Sequence, residues 1–145
     1  DCFIKNLRYA TSQQQQVTFL IEPLNHYDAP GYFLNSTDQA RRIIEAVAAP
    51  NLKLMFDCYH IQILEGDLTR RLQANIDIIG HIQFAGVPSR GRPDYGEINY
   101  QHIFKQIAGM GYTAPLGAEY KPENGDTDGS LGWKSKLEEQ AGVNR

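Results

Sequence analysis

Half of a (β/α)8 barrel, α/β in class, is the fold that this chain of 145 residues predicts. Three observations carry that expectation. Strand-like apolar runs alternate with segments of 3.6-residue periodicity, which argues for parallel strands joined by helical crossovers. The runs are apolar at nearly every position, as strands are when helices cover the sheet. Four of them end on an oxygen-bearing side chain: Val17-Thr-Phe-Leu-Ile-Glu22, Lys53-Leu-Met-Phe-Asp57, His81-Ile-Gln83 and Pro115-Leu-Gly-Ala-Glu119. An open doubly wound sheet also fits the alternation, but no Gly-x-Gly-x-x-Gly turn follows any strand, which weakens its dinucleotide-binding form. A complete barrel needs roughly 200 residues or more and eight units. About four units preceded by a helix are present, so residues 1–145 read as one half-barrel domain.

The elements follow in order. Residues 2–16 predict a helix with Phe3, Ile4, Leu7 and Ala10 on one face, and its polar end, Gln13 to Gln16, carries no function. Val17 to Glu22 is the first strand, stopped by Pro23. A loop from Asn25 to Asn35 holds Tyr27, Tyr32 and Phe33. Ser36-Thr-Asp-Gln39 is a capping box opening a helix with the stripe Ala40, Ile43, Ile44 and Val47. After Pro50-Asn51 the second strand runs to Asp57. Asp67 is placed to cap a helix carrying Leu68, Leu72, Ile76 and Ile79. Gly80 leads into a third strand ending near Phe84. Asn99 caps a helix with Ile103, Phe104 and Ile107 inward, closed by Gly109 and Gly111. The fourth strand ends at Glu119, and a last helix runs from Leu131 to about Gln140 with Leu131, Leu137 and nearby Trp133.

The formal net charge of -3 and the lack of a basic block give no electrostatic case for nucleic acid or an anionic membrane. Cys2 and Cys58 fit neither a disulfide framework nor a metal-binding Cys pair, so a reducing, cytoplasmic setting is the default. No apolar run is long enough to span a bilayer.

Residues two apart on a strand share a face. Counting back from the tips groups Glu22 with Leu20 and Thr18, Asp57 with Met55, Gln83 with His81, and Glu119 with Gly117. If the tips point into a barrel, four oxygen ligands converge where enzymes of this fold place their chemistry. Three packed carboxylates repel one another and raise their pKa values, and a divalent cation relieves that repulsion. Carboxylates with an amide carbonyl suit a hard ion such as Mg²⁺ or Mn²⁺. The competing expectation is plainer: an acidic residue at a strand end is commonly a helix cap or a surface pair. His60 reads as a loop histidine, His81 as packed beneath the site, and Cys58 as a buried thiol facing the helices. Arg90 and Arg92 are solvated loop charges or anion binders.

Leu20-Ile-Glu-Pro-Leu24, Phe56-Asp-Cys-Tyr-His-Ile-Gln62, Gly80-His-Ile-Gln-Phe-Ala-Gly86, Gly96-Glu-Ile-Asn-Tyr100 and Gly117-Ala-Glu-Tyr-Lys-Pro122 resemble the hydroxypyruvate isomerase family. That family lies among the xylose-isomerase-like TIM barrels, beside the 2-oxo-tetronate isomerases. The likeness runs from about residue 3 to 138, with the motifs in family order. It implies a metal-dependent isomerase of aldose–ketose type, using Mg²⁺ or Mn²⁺ and acting on a small hydroxy-oxo acid such as hydroxypyruvate, tartronate semialdehyde or a 2-oxo-tetronate. By resemblance Glu22, Asp57, Gln83 and Glu119 match the metal ligands, and Glu22 and Glu119 the proton-transferring pair. His60 matches a histidine near the substrate oxygens, and Arg90 an arginine in the loop before Gly-Glu-Ile-Asn-Tyr. Glutamine at position 83, where related sugar epimerases usually carry histidine, leans toward the isomerase branch, and Arg92 stands where the family commonly has an acidic residue. A basic group at the mouth, Arg90 or Lys121, would hold the substrate carboxylate.

The rival readings are a ketose 3-epimerase with the same ligands, a non-catalytic half-barrel that binds metal or self-associates, and an abasic-site endonuclease, which would want more histidines and a basic groove. The resemblance covers the family's C-terminal half only. A half-barrel leaves two strand edges and an inner sheet face to cover, so the expectation is either a missing N-terminal half of the barrel or a homo-oligomer.

Overall fold

One four-stranded parallel sheet runs through the molecule, its strands β1 (Phe19–Ile21), β2 (Leu52–Asp57), β3 (Ile79–Phe84) and β4 (Leu116–Ala118) lying side by side in chain order. The structure, a computed structural model, describes residues 1–141, so residues 142–145 of the expected domain lie outside it. The helices are α1 (Cys2–Gln13), α2 (Thr37–Val47), α3 (Cys58–Leu64), α4 (Leu68–Asn75), α5 (Tyr100–Gly109), α6 (Thr127–Ser130) and α7 (Trp133–Ala141). Strand and helix alternate, each strand pairs with the next in sequence, and the result is the expected half-barrel.

Strand register decides which side chains meet. Leu20 pairs with Lys53, Met55 with His81, Asp57 with Gln83, and Gln83 with Gly117. These residues share the inner face of the sheet. The alternate residues Ile21, Leu52, Leu54, Phe56, Ile82 and Phe84 are buried on the outer face, against Ile43, Ile44, Leu72, Ile103 and Ile107 of the helices. Burial of one face by apolar side chains therefore fixes the other face, since a one-residue slip would exchange the two sets.

Two glycines fit the inner face to its contents. Between β2 and β3 the register shifts at Leu54/Met55, and Gly80 takes up the irregularity. A Cβ there would stand 2.6 Å from Lys53 Cβ and 2.6 Å from Leu20 Cδ2. A Cβ on Gly117 would meet His81 Nε2 at 2.8 Å and Gln83 Cγ at 3.3 Å, so the absent side chain leaves those two residues their space.

Several element ends follow the sequence. Ser36 accepts the Gln39 N–H at the start of α2, and Asn99 accepts the His102 N–H at the start of α5. Gly111, at φ 80°, follows α5 in the left-handed conformation expected past a helix end. Others require correction. α1 stops at Gln13 and β1 begins at Phe19, because residues 14–18 form a turn whose carbonyls at Gln14 and Val17 accept from the Asn51 side chain. Asp67 occupies the cap position of α4 but makes no cap hydrogen bond; at φ 49° its carboxylate pairs with Arg70 instead. α4 ends at Asn75, and Ile79 belongs to β3. The last helix starts at Trp133, with Trp133 and Leu137 buried and Leu131 exposed.

Phe56 is fully buried at the centre of β2. Phe56→Ala is expected to lower unfolding stability by about 3–5 kcal/mol, the usual cost of removing a buried aromatic ring. Urea denaturation followed by circular dichroism checks this, and a loss below about 1 kcal/mol would contradict the assigned core.

Candidate active site and metal centre

Asp57 ends β2 and also caps the helix that follows. Its Oδ1 accepts the Tyr59 N–H at 2.8 Å, leaving Oδ2 to face the inner side of the sheet. The residue three positions after a cap lies on the same helix face, one turn along. That residue is His60, and its Nε2 stands 3.9 Å from Asp57 Oδ2 and 3.9 Å from Glu22 Oε1. The expectation of a loop histidine is therefore corrected: His60 lies in the first turn of α3 and is 1% exposed. The apolar stretch after Asp57 lacked a separate start signal, because the strand's last residue is itself the cap.

Glu22 follows β1 by one residue, and Glu119 follows β4 by one. The Glu119 N–H continues the ladder to Phe84 O at 3.1 Å, which keeps Glu119 on the face of Gln83 and Gly117. Glu22, Asp57, Gln83 and Glu119 thus occupy the inner face at adjacent strand ends. Five buried side-chain polar atoms lack a hydrogen-bond partner among the described residues, and four of them are Glu22 Oε1, Asp57 Oδ2, His60 Nε2 and Gln83 Oε1. Glu22, Asp57 and His60 each offer an atom within 4.8 Å of the others. Buried polar groups are nearly always satisfied, so unpartnered atoms gathered at one point mark a place for a ligand. Three of the four atoms are oxygens of carboxylates or an amide, a donor set that fits a hard divalent cation.

Electrostatics agree. Burial, reinforced by Asp57 and Glu119, raises the Glu22 pKa to about 7 against the opposing pull of Arg90. Burial raises Asp57 to about 6, offset in part by the Tyr59 N–H and Arg90. Burial and then Arg90 lower His60 to about 4.

Arg90 is the one cation drawn among these acids in the described residues. Its guanidinium pairs with Glu119 Oε2, stands 3.8 Å from Asp57 Oδ2 and 3.4 Å from Asp28 Oδ2, and lies 5.2 Å from the centre of the Tyr59 ring. The loop holds it there in a left-handed conformation, φ 54°, with its carbonyl accepting the Lys121 N–H at 2.7 Å. Lys121 meets the site through that backbone hydrogen bond, while its exposed side chain lines a depression with Arg92, Tyr95 and Glu123. Arg92 pairs with Asp94 at 2.8 Å, away from the carboxylates. Three residues were not singled out from sequence. Asn25 contacts His60, Asp28 contacts Arg90, and Tyr59 underlies Arg90. Asn25 and Asp28 had a readable signal, since an Asn followed by a turn after a strand end is the pattern of an Asx turn.

A parallel half-barrel with acids at its strand tips now has a family. The model of the xylose isomerase-like TIM barrel matches residues 1–138, and the chain belongs to that family. The 2-oxo-tetronate isomerase of Cupriavidus necator is 49% identical over 133 residues, and the hydroxypyruvate isomerase of Escherichia coli K12 is 44% identical over 132. Each alignment covers 90% of this chain and 51% of the relative. The crystal structure of AP endonuclease, family 2, from Brucella melitensis superposes with a TM-score of 0.87 at 39% identity, over 92% of this chain and 52% of that one. The chain spans about half the length of the curated relatives it matches. No helix among the described residues is long and apolar enough to cross a membrane.

The raised carboxyl pKa values carry a sign. Glu22 binds its proton more tightly folded (about 7) than unfolded (4.5), so its ionisation removes stability as pH rises through that window. His60, lowered from 6.5 to about 4, acts oppositely, adding stability as pH rises between those values. Comparing variants isolates the glutamate. In metal-free buffer Glu22→Gln is expected to be more stable than the parent at pH 8, with the difference shrinking as pH falls toward 5. Thermal denaturation across that range checks it; a difference independent of pH would show that Glu22 is not held in this environment.

Proposed function

We propose that this chain supplies the metal-binding and proton-transferring half of an isomerase acting on a small hydroxy-oxo acid, of the hydroxypyruvate or 2-oxo-tetronate kind. The observation that carries this is the gathering of unpartnered buried atoms from Glu22, Asp57, His60 and Gln83 at neighbouring strand ends, with Glu119 beside them. The names of the two isomerase relatives supply the substrate class. Glu22, Asp57, Gln83 and Glu119 would hold Mg²⁺ or Mn²⁺. When bound, such an ion supplies Lewis-acid polarisation of the reacting oxygens.

The chain's own residues would divide the remaining work. One of Glu22 and Glu119 removes the proton from the hydroxyl-bearing carbon to leave an enediolate, the hydroxyl proton passes to the neighbouring oxygen, and the other glutamate returns a proton to the adjacent carbon. The hydroxyl and carbonyl exchange places, and no external oxidant or reductant is needed. His60 faces the reacting oxygens. Arg90, already among the acids, is better placed than Lys121 to anchor the substrate carboxylate, and the guanidinium can do so through two parallel hydrogen bonds. The endonuclease reading, which the name of the Brucella melitensis structure favours, is opposed by the formal net charge of -3 and by a total of four histidines. The free edges at β1 and β4 are where the remaining strands would pair, whether from a longer polypeptide or a second copy.

Two outcomes follow. Mn²⁺ binding measured by calorimetry should disappear in Asp57→Ala, while circular dichroism remains native; undiminished binding would remove Asp57 from the ligand set. In the native protein, Glu22→Gln and Glu119→Gln should each lower turnover of hydroxypyruvate or a 2-oxo-tetronate by about 10²–10⁴-fold. Turnover close to the parent in either variant would show that its carboxylate moves no proton.

A further inference from the structure

We infer that Asn25 holds His60 as the neutral tautomer protonated on Nε2, making it a hydrogen-bond donor into the site and excluding it from the metal's ligands. The backbone N–H of Asn25 donates to His60 Nδ1 at 3.0 Å, and the Asn25 side-chain Nδ2 stands 2.8 Å from the same nitrogen. The orientation of that amide is set independently. Its Oδ1 accepts the N–H groups of Tyr27 and Asp28, both at 3.0 Å, so its NH₂ must face the imidazole. Two donors therefore converge on Nδ1. A proton on Nδ1 would point at both, whether in the other neutral tautomer or in the imidazolium. Asn25 is fully buried and His60 1% exposed, which leaves such a clash unrelieved by solvent. Neutral imidazole carries one proton, and it goes to Nε2.

Nε2 is 3.9 Å from both Glu22 Oε1 and Asp57 Oδ2, beyond hydrogen-bond reach, and has no partner among the described residues. A bare Nε2 could have joined Glu22 and Asp57 around a cation, since their atoms lie close enough. A protonated Nε2 has no lone pair to offer. It is instead a donor without an acceptor, and what fits it is a hydroxyl or carbonyl oxygen of a bound substrate. Asn25 is thus a positioning residue that sets the polarity of His60. The identity of the oxygen rests on the proposed isomerase reading; the tautomer does not.

Nitrogen-15 NMR of histidine-labelled native protein, metal-free and at neutral pH, reads the tautomer directly. The expected His60 signals are a bare Nδ1 and a protonated Nε2; a proton on Nδ1 would overturn the inference. Asn25→Asp sharpens the test, because the remaining oxygen still accepts from Tyr27 and Asp28 while the donor facing Nδ1 becomes an acceptor. With only the backbone N–H of residue 25 left to oppose it, that variant should show a fractional proton on Nδ1, and a spectrum identical to the parent's would show that the Asn25 side chain sets nothing. His60→Gln should leave Mn²⁺ affinity unchanged, and its loss would return His60 to the ligand set. Lack of isomerase activity in the parent would defeat the substrate assignment and leave the NMR result standing.

Discussion

The structure depends on one constraint: carboxylates from separate strands face each other where water is largely excluded. Asp57 is 1% exposed, yet its Oδ2 has no hydrogen bond among the described residues, and neither do the buried atoms Glu22 Oε1 and Gln83 Oε1. Buried like charges without partners are costly, and burial with mutual repulsion accordingly raises the pKa values of Glu22 and Asp57. The fold imposes it. With Leu52, Leu54 and Phe56 committed to the helix-facing core, Asp57 is turned inward, and pairing with Gln83 brings the amide beside it. Tertiary packing of apolar side chains thereby holds polar ones where they would not go unaided, which is how strained functional sites are commonly maintained.

Arg90 provides partial compensation. It reaches Asp57, Glu119 and Asp28 from a loop residue in a left-handed conformation, and rests against Tyr59. A single guanidinium still leaves Glu22 raised and the Asp57 and Gln83 oxygens unpartnered. A divalent cation carries twice the charge and accepts several oxygens at once, so it matches the arrangement more closely. Under the proposed function Glu119 would be shared between Arg90 and such an ion, and Arg90, released from Glu119, would be free for a substrate carboxylate.

Much of this was legible in the sequence because it depends on alternation. Apolar runs ending in Glu22, Asp57, Gln83 and Glu119 specified both the parallel strands and the shared face, and the register places those residues as the pattern requires. The caps at Ser36 and Asn99 are legible for the same local reason, although Gln39 completes the Ser36 box by accepting from the Asn35 N–H and not from that of Ser36. What escaped was set by contacts between distant segments. His60 is helical because Asp57 serves as strand end and helix cap together, a double role that no propensity signals. Asn25 contacts a residue 35 positions away, and Arg90 meets Asp28 across 62. Asp67, a good cap by residue type, pairs with Arg70 because its backbone adopts φ 49°.

The central claim is that the strand-end oxygens form one cation site. Diffraction from Mn²⁺-soaked crystals of the native protein, using the anomalous signal of manganese, tests it most directly. The predicted result is a single strong peak among Glu22, Asp57, Gln83 and Glu119, with Arg90 released from Glu119 and His60 outside the coordination sphere. A peak elsewhere, or none at this place with Arg90 still paired to Glu119, would contradict it.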